Sequence, residues 1–156
     1  TAGRLMVQKI ADYRLHLAAS TALWQSHKRP ERLGDLKELP VVGYVQDMIF
    51  DKELDYLEPL GLRRVQLASN SISVQMNLLR QGAGLGIVHD FALPFAPELR
   101  RILVDQLSLT RSFFLIRSAD DRHNRRLNQF AQVLVSGLRL EIQRLEALAE
   151  RPGVKI

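Results

Sequence analysis

The sequence predicts an α/β fold on three observations. Strand-like and helix-like stretches alternate along the 156 residues. The stretch from Arg64 to His89 reads as strand, turn, helix, stop and strand. The chain closes on a long amphipathic helix. Such alternation argues for a mainly parallel sheet. An apolar content of 46% and a charged content of 25% are those of a globular protein, and the length suits one ordinary domain or two small lobes. No apolar run approaches a membrane span, and no signal-peptide core opens the chain. Zero cysteines exclude disulfides, thiolate zinc sites and a cysteine nucleophile, which fits the cytosol. The formal charge of +5 permits an anionic ligand. The positive charges are dispersed, however, without a basic helix, an aromatic stacking motif or zinc-finger spacing, so the chain does not read as a nucleic-acid binder on its own.

Taken in order, residues 1–12 carry no helix cap, and their apolar residues are already in mid-pattern. Leu15 and Leu17 alternate in YRLHLAAS, which predicts a strand through Ala19. Ser20 or Thr21 caps a short helix carrying Leu23 and Trp24. His27 to Pro30 is a surface turn, and Leu33, Leu36 and Leu39 mark one more helical turn closed by Pro40. Val41, Val42 and Tyr44 form a short strand ending in the loop 45–50. A helix is expected over 52–60, with Leu54, Leu57 and Leu60 inward and Asp51 favouring the dipole at its start. Pro59, Leu60 and Gly61 stop it.

The central unit follows. Val65 and Leu67 precede Ser69, Asn70 and Ser71, a polar cluster of the kind that caps a helix N-terminus. Ile72, Met76 and Leu79, joined by Val74 and Leu78, give the helix its apolar face. Gly82 and Gly84 end it, because glycine takes the left-handed cap conformation without steric cost. Leu85, Ile87 and Val88 supply a short buried strand. In open α/β sheets ligands settle where strand carboxyl ends meet helix amino ends, here Ala68 to Ser71. Capping alone accounts for one polar residue. Three in a row point further, to an anion held by free N–H groups and the helix dipole. Gly82, Gly84 and Gly86 are no dinucleotide fingerprint, since that motif puts the strand before the glycines and the helix after them.

After a loop with Pro94 and Pro97, Ile102 to Val104 reads as a short strand and Ser112 to Ile116 (SFFLI) as a stronger one. From His123 or Asn124 the pattern is helical almost to the end. Leu127, Phe130, Leu134 and Leu138 make one stripe, continued by Ile142, Leu145 and Leu148. About 27 residues at 1.5 Å each give roughly 40 Å, longer than a compact domain of this size needs. Its last turns are therefore candidates to project and meet a partner helix, the alternative being an ordinary packed end. Gly137 costs on the order of 1 kcal/mol relative to alanine inside it.

Catalytic chemistry finds little support. No G-x-S-x-G occurs, and His89-Asp90 belongs to no hydrolase signature. His16, His27, His89 and His123 are scattered singly, which argues against a metal site. Asp47, Asp51, Glu53 and Asp55 cluster by the Tyr44 loop and could act as acid and base, although acids at a helix start are usually dipole partners. No catalytic residue, cofactor or metal ligand is expected. The segment from Tyr44 to Phe50 follows a strand, so it falls on the same sheet edge as the Ser69 turn. It also mixes aromatic, amide, acid and thioether groups, as the walls of small-molecule pockets do.

In their order and spacing, DYRLHLAAS with Leu23-Trp24, RPERLGDLKELPVVGY, VQDMIFDKELDYL, LASNSISVQMNLLRQGAGLGIVHDFALP and RSFFLIRSADDRHNRRLNQFAQVL resemble the effector-binding domain of LysR-type transcriptional regulators. The similarity covers most of residues 3–140. It implies a type 2 periplasmic-binding-protein-like architecture of two α/β lobes, joined by two crossing strands, with a small effector in the cleft. The first crossing matches Tyr13 to Ala19 and the second Ser112 to Arg117. Residues 1–19 are then a remnant of lobe one with the first crossover. Residues 20–110 are a complete lobe two, and 111–156 are the second crossover and C-terminal helix of a partial lobe one.

By the same resemblance the effector contacts fall on Tyr44, Gln46, Asp47, Ser69, Asn70 and Ser71. The amide and carboxylate would exchange hydrogen bonds with the effector, and the turn would take an anionic head group. No winged helix-turn-helix is present, so DNA would be reached only through one outside this chain. The apolar faces of SFFLI and of the terminal helix are expected to seek cover in a homodimer or higher oligomer. A cytoplasmic location and no membrane partner are implied. Two other classes share the pattern: a lobe of a secreted solute-binding protein, and a small α/β enzyme.

Overall fold

The computed structural model describes residues 4–49, 56–62 and 64–150, the side chain of Leu57 excepted. The expected start of the helix over 52–60, with Asp51, Glu53, Leu54 and Asp55, lies outside them.

One strand carries the architecture. β1 (Leu5–Ser20) is 16 residues long, far more than the Leu15–Ala19 segment that alternation marks out. Its second half is the hydrophobic axis, with Leu15, Leu17, Ala18 and Ala19 fully buried. β4 (Leu85–His89) pairs antiparallel along one edge of this half, and β5 (Leu99–Arg101) along the other. The first half, up to Leu15, pairs antiparallel with β6 (Leu109–Ser118), with a bulge between Lys9 and Ala11. That bulge breaks the period-2 pattern, which is why the strand is hard to see in the sequence.

The expectation of a mainly parallel sheet is therefore corrected. All of β1's partners run against it, and hydrophobic periodicity carries no information on strand direction. The parallel relation survives where the central unit predicts it. β2 (Val42–Gly43) and β3 (Leu67–Ala68) pair in parallel, and Val41 makes a parallel bridge to Leu85. β2 thus lies between β3 and β4, and α2 (Ile72–Arg80) is the crossover joining those two strands. Gly86 is required at this seam: a Cβ there would lie 2.7 Å from the carbonyl oxygen of Val42.

Leu15, Leu17 and Ala19 face one core, with Leu23, Leu36, Leu39 and Leu85. Ala18 faces the other, with Val42, Leu79, Val88 and Leu99. The short helical turns expected after Ser20 and around Leu36 form as 3-10 turns, Thr21–Gln25 and Leu33–Glu38. α1 (Leu57–Leu60) buries Leu60 and stops at Gly61, whose φ of +66° suits glycine. In α2 the inward positions are Gln75 and Leu79, while Val74 is 46% exposed, so Val74 is not part of the core face. The strand expected at Ile102–Val104 falls earlier, at Leu99–Arg101; Leu103 sits at φ 52°, which no strand residue adopts.

α3 (Arg125–Glu150) begins where expected, with the Leu127 N–H donating to Asn124 Oδ1 at 3.2 Å. Of the two ends open to it, the packed one forms. The last turns are held down: Ile142 and Leu145 are buried, Arg14 bridges Glu146 and Glu150, and Arg101 donates to the Ala149 carbonyl. The first half buries Ala131 and Val135 and turns Phe130 and Val133 outward; these two and Leu140 beyond them are each about two-thirds exposed. The Leu127–Phe130–Leu138 stripe is consequently a surface, as are Phe114 and Ile116 of β6.

Candidate functional site

Two adjacent parallel strands end side by side at one corner of the molecule. The register pairs Val42 with Leu67 and Gly43 with Ala68, so the segments after them leave the sheet together. Gly43 has no room for a side chain, since a Cβ would fall 2.7 Å from Val65 Cγ1. The Ser69 N–H donates to the Gly43 carbonyl at 2.9 Å. Beyond Gly43 the chain turns through Tyr44 into a 3-10 turn, Gln46–Met48. Beyond Ala68 it enters α2.

Asn70 ties the two segments. Its Oδ1 accepts from the Val45 N–H at 3.2 Å, and its Nδ2 donates to Met48 Sδ at 3.3 Å. The Ser71 hydroxyl caps α2 by accepting from the Val74 N–H, and Ser69 Oγ accepts from the Ser71 N–H. Buried Gln75 donates to the Ser69 carbonyl at 2.5 Å and fixes the turn from below. Each of the three polar residues thus has a structural task. The N–H groups of Ile72 and Ser73, orphaned by helix geometry, meet no acceptor among the described residues. They and the helix dipole leave the corner electropositive.

Gln46, Asp47, Asn70 and Ser71 are exposed, and Tyr44 and Ser69 are half-buried. Burial pushes the Tyr44 phenol above its usual range, so the hydroxyl stays protonated and able to donate. Tyr44 and Gln46 border a hollow with Ile49, Tyr56 and Gln75. Asp47, Ser69, Asn70 and Ser71 lie outside that lining. The hollow measures about 20 Å³, room for one water but not for an organic molecule. The corner is therefore an open shelf with a water-sized pit beside it, and a ligand would rest on it.

A second polar constellation escaped the reading of single histidines. Asp90, at the end of β4, has no solvent exposure. Its carboxylate meets His16 Nδ1 at 2.8 Å and accepts from Arg101 Nη1 at 3.1 Å. His16 sits on the same face of β1 as Ala18, and that inward position between two leucines was the available signal. The network joins β1, β4, β5 and, through Arg101, the end of α3. Among the described residues no cluster of histidines and carboxylates could hold a metal ion, and no helix is long and apolar enough to cross a membrane.

A family model described as the LysR substrate binding domain matches residues 2–139. The regulatory domain of CrgA, a LysR-type transcriptional regulator from Neisseria meningitidis, superposes with a TM-score of 0.70 at 21% identity, covering 88% of this chain and 70% of that one. A C206 mutant of Corynebacterium glutamicum OxyR gives 0.64 at 19% identity, covering 100% and 49%. The regulatory domain of a C227S variant of AphB from Vibrio vulnificus gives 0.66 at 15%, covering 87% and 72%. At these identities the likeness concerns the fold, and the chain spans about half the length of the OxyR chain. No curated protein matches the sequence.

Proposed function

Because the chain belongs to the LysR substrate-binding-domain family of transcription regulators, with its type 2 periplasmic-binding-protein-like α/β fold, we propose that it is the ligand-sensing part of such a regulator. Its effector is a small organic anion resting on the corner formed by Tyr44, Gln46, Asp47, Ser69, Asn70 and Ser71. The observation that carries this reading is the convergence of two strand ends on one helix start, tied by Asn70 to Val45. The exposed N–H groups of Ile72 and Ser73 would take the anionic head group, while Gln46 and Asp47 would hydrogen-bond the remainder.

The strand pairing supports a two-lobe division. Residues 1–19 and 111–156 form part of lobe one with the two crossing strands, and 20–110 form lobe two. An open shelf, rather than an enclosed pocket, is the form that one wall of an inter-lobe cleft takes. An effector preferring one lobe arrangement would bias a dimer, and through it DNA-binding heads outside this chain. Such a sensor works in the cytoplasm and performs no catalysis.

The test is a panel of small mono- and dicarboxylic acids titrated against the protein by calorimetry. A hit should bind saturably and lose about fivefold in affinity in Gln46→Ala, since a hydrogen bond between neutral groups contributes about 1 kcal/mol. Gln46 is exposed, so folding is spared. A hit whose affinity is indifferent both to this change and to Asn70→Ala would place the effector elsewhere.

A further inference from the structure

A second cleft opens where α3 crosses the ribbon of β1 and β6. Its volume is about 270 Å³, and Gln8, Arg117, Gln132 and Arg139 line it together with the buried Ala131 and Val135. It shares no residue with the corner described above.

The two arginines set it apart. Arg14, Arg32, Arg80, Arg101 and Arg144 each face a carboxylate. Arg117 and Arg139 face none among the described residues, and no acidic residue lines the cleft. Arg117 Nη1 donates to Asn128 Oδ1 at 3.0 Å and to the Leu127 carbonyl at 3.3 Å. Arg139 Nε donates to the Ile10 carbonyl at 2.9 Å. These acceptors are neutral. They orient each guanidinium while leaving other N–H donors of its five without an acceptor among the described residues. Two pre-oriented forks of one charge in one recess make a site for an anion, because a planar guanidinium matches a carboxylate in paired hydrogen bonds. Ala131 and Val135 add an apolar wall for a hydrocarbon body, which favours an organic acid over a bare inorganic ion.

We propose that the cleft between α3 and the β1–β6 ribbon is a second ligand site, taking a small organic carboxylate gripped by Arg117 and Arg139. Occupation would tie α3 to both strands through Arg117 and Arg139.

The test titrates the isotopically labelled protein with sodium succinate, sodium benzoate and inorganic phosphate, at constant ionic strength, following amide and arginine Nε–H resonances. At least one of the acids should give a saturable set of shifts at Gln8, Arg117 and residues 128–139, with one affinity of its own. Arg117→Gln and Arg139→Gln should each weaken it about tenfold or more, the expected effect of losing a charge-assisted pair. Gln46→Ala should leave it unchanged, which separates this site from the corner. Arg139 is exposed, so its variant remains informative if Arg117→Gln disturbs the start of α3. The proposal is overturned by an absence of saturable shifts with both acids, or by wild-type affinity in the Arg117→Gln/Arg139→Gln double variant. Tighter binding of phosphate than of either acid would overturn the carboxylate assignment.

Discussion

Asp90 sits at a position with no solvent exposure, and among the described residues its carboxyl group meets His16 and Arg101. Removing one partner of a buried ionic network leaves the others uncompensated. Asp90→Ala is therefore expected to cost about 3 kcal/mol or more in a denaturant titration. The exposed Arg32–Asp35 pair, broken by Arg32→Ala, should cost under about 1 kcal/mol. His89 beside it behaves differently. Burial holds its imidazole below the ordinary value of 6.5, with the Asp90 charge partly opposing. As pH falls through that ordinary value the unfolded chain takes up a proton that the folded chain resists, so stability is lost. Between about pH 7 and pH 5, unfolding curves of His89→Gln should lose less stability than the wild type.

At the level of elements, the glycines separate into those that seams require and one that nothing requires. In Gly86→Ala the new methyl would meet the Val42 carbonyl at 2.7 Å and push β4 from β2. A loss of about 1–3 kcal/mol is expected for overpacking of this kind, measured by chemical denaturation. Gly137, inside α3, would meet nothing within 4 Å. Gly137→Ala should stabilise the protein by about 1 kcal/mol, read as a raised Tm, because the helix loses its most flexible residue and gains no clash. α3 also shows where periodicity misleads. Its apolar residues wrap around more than one face, so a stripe through Leu127, Phe130 and Leu138 is drawn as readily as one through Ala131 and Val135. The fold turns the smaller pair, Ala131 and Val135, inward over the ribbon and leaves the larger residues outside.

For the whole molecule the consequence is surface chemistry. Phe114 and Ile116 on β6, and Phe130, Val133 and Leu140 on α3, are more than half exposed. Apolar surface left open on each of these two elements calls for a partner. Self-association is the form expected of the sensing domain proposed above. Phe130→Asp with Val133→Asp should spare the fold, read as a native circular-dichroism spectrum, since neither side chain contributes to the core, and any fall in the unfolding midpoint should track the lost association. The same pair should shift a gel-filtration profile from oligomer to monomer. A wild-type chain that elutes as a monomer at all concentrations would remove this expectation.

Several features were legible in the residues because they depend on local chemistry. A polar cap for α2 within Ser69–Ser71, Gly82 as its left-handed stop, the short parallel strands around Val42 and Leu67, and the meeting of the Gln46 and Asn70 segments all follow from turn propensity and period. The family resemblance followed from their order. Only the tertiary structure decided the rest. The length of β1 is set by its pairing with β6, residues roughly a hundred positions away, and its antiparallel direction by the same contacts. The buried His16–Asp90–Arg101 network and the Arg117–Arg139 cleft exist because distant segments were brought together. A sequence records what each residue prefers beside its neighbours. Which face is buried, and which charges meet, is settled by what the chain folds against.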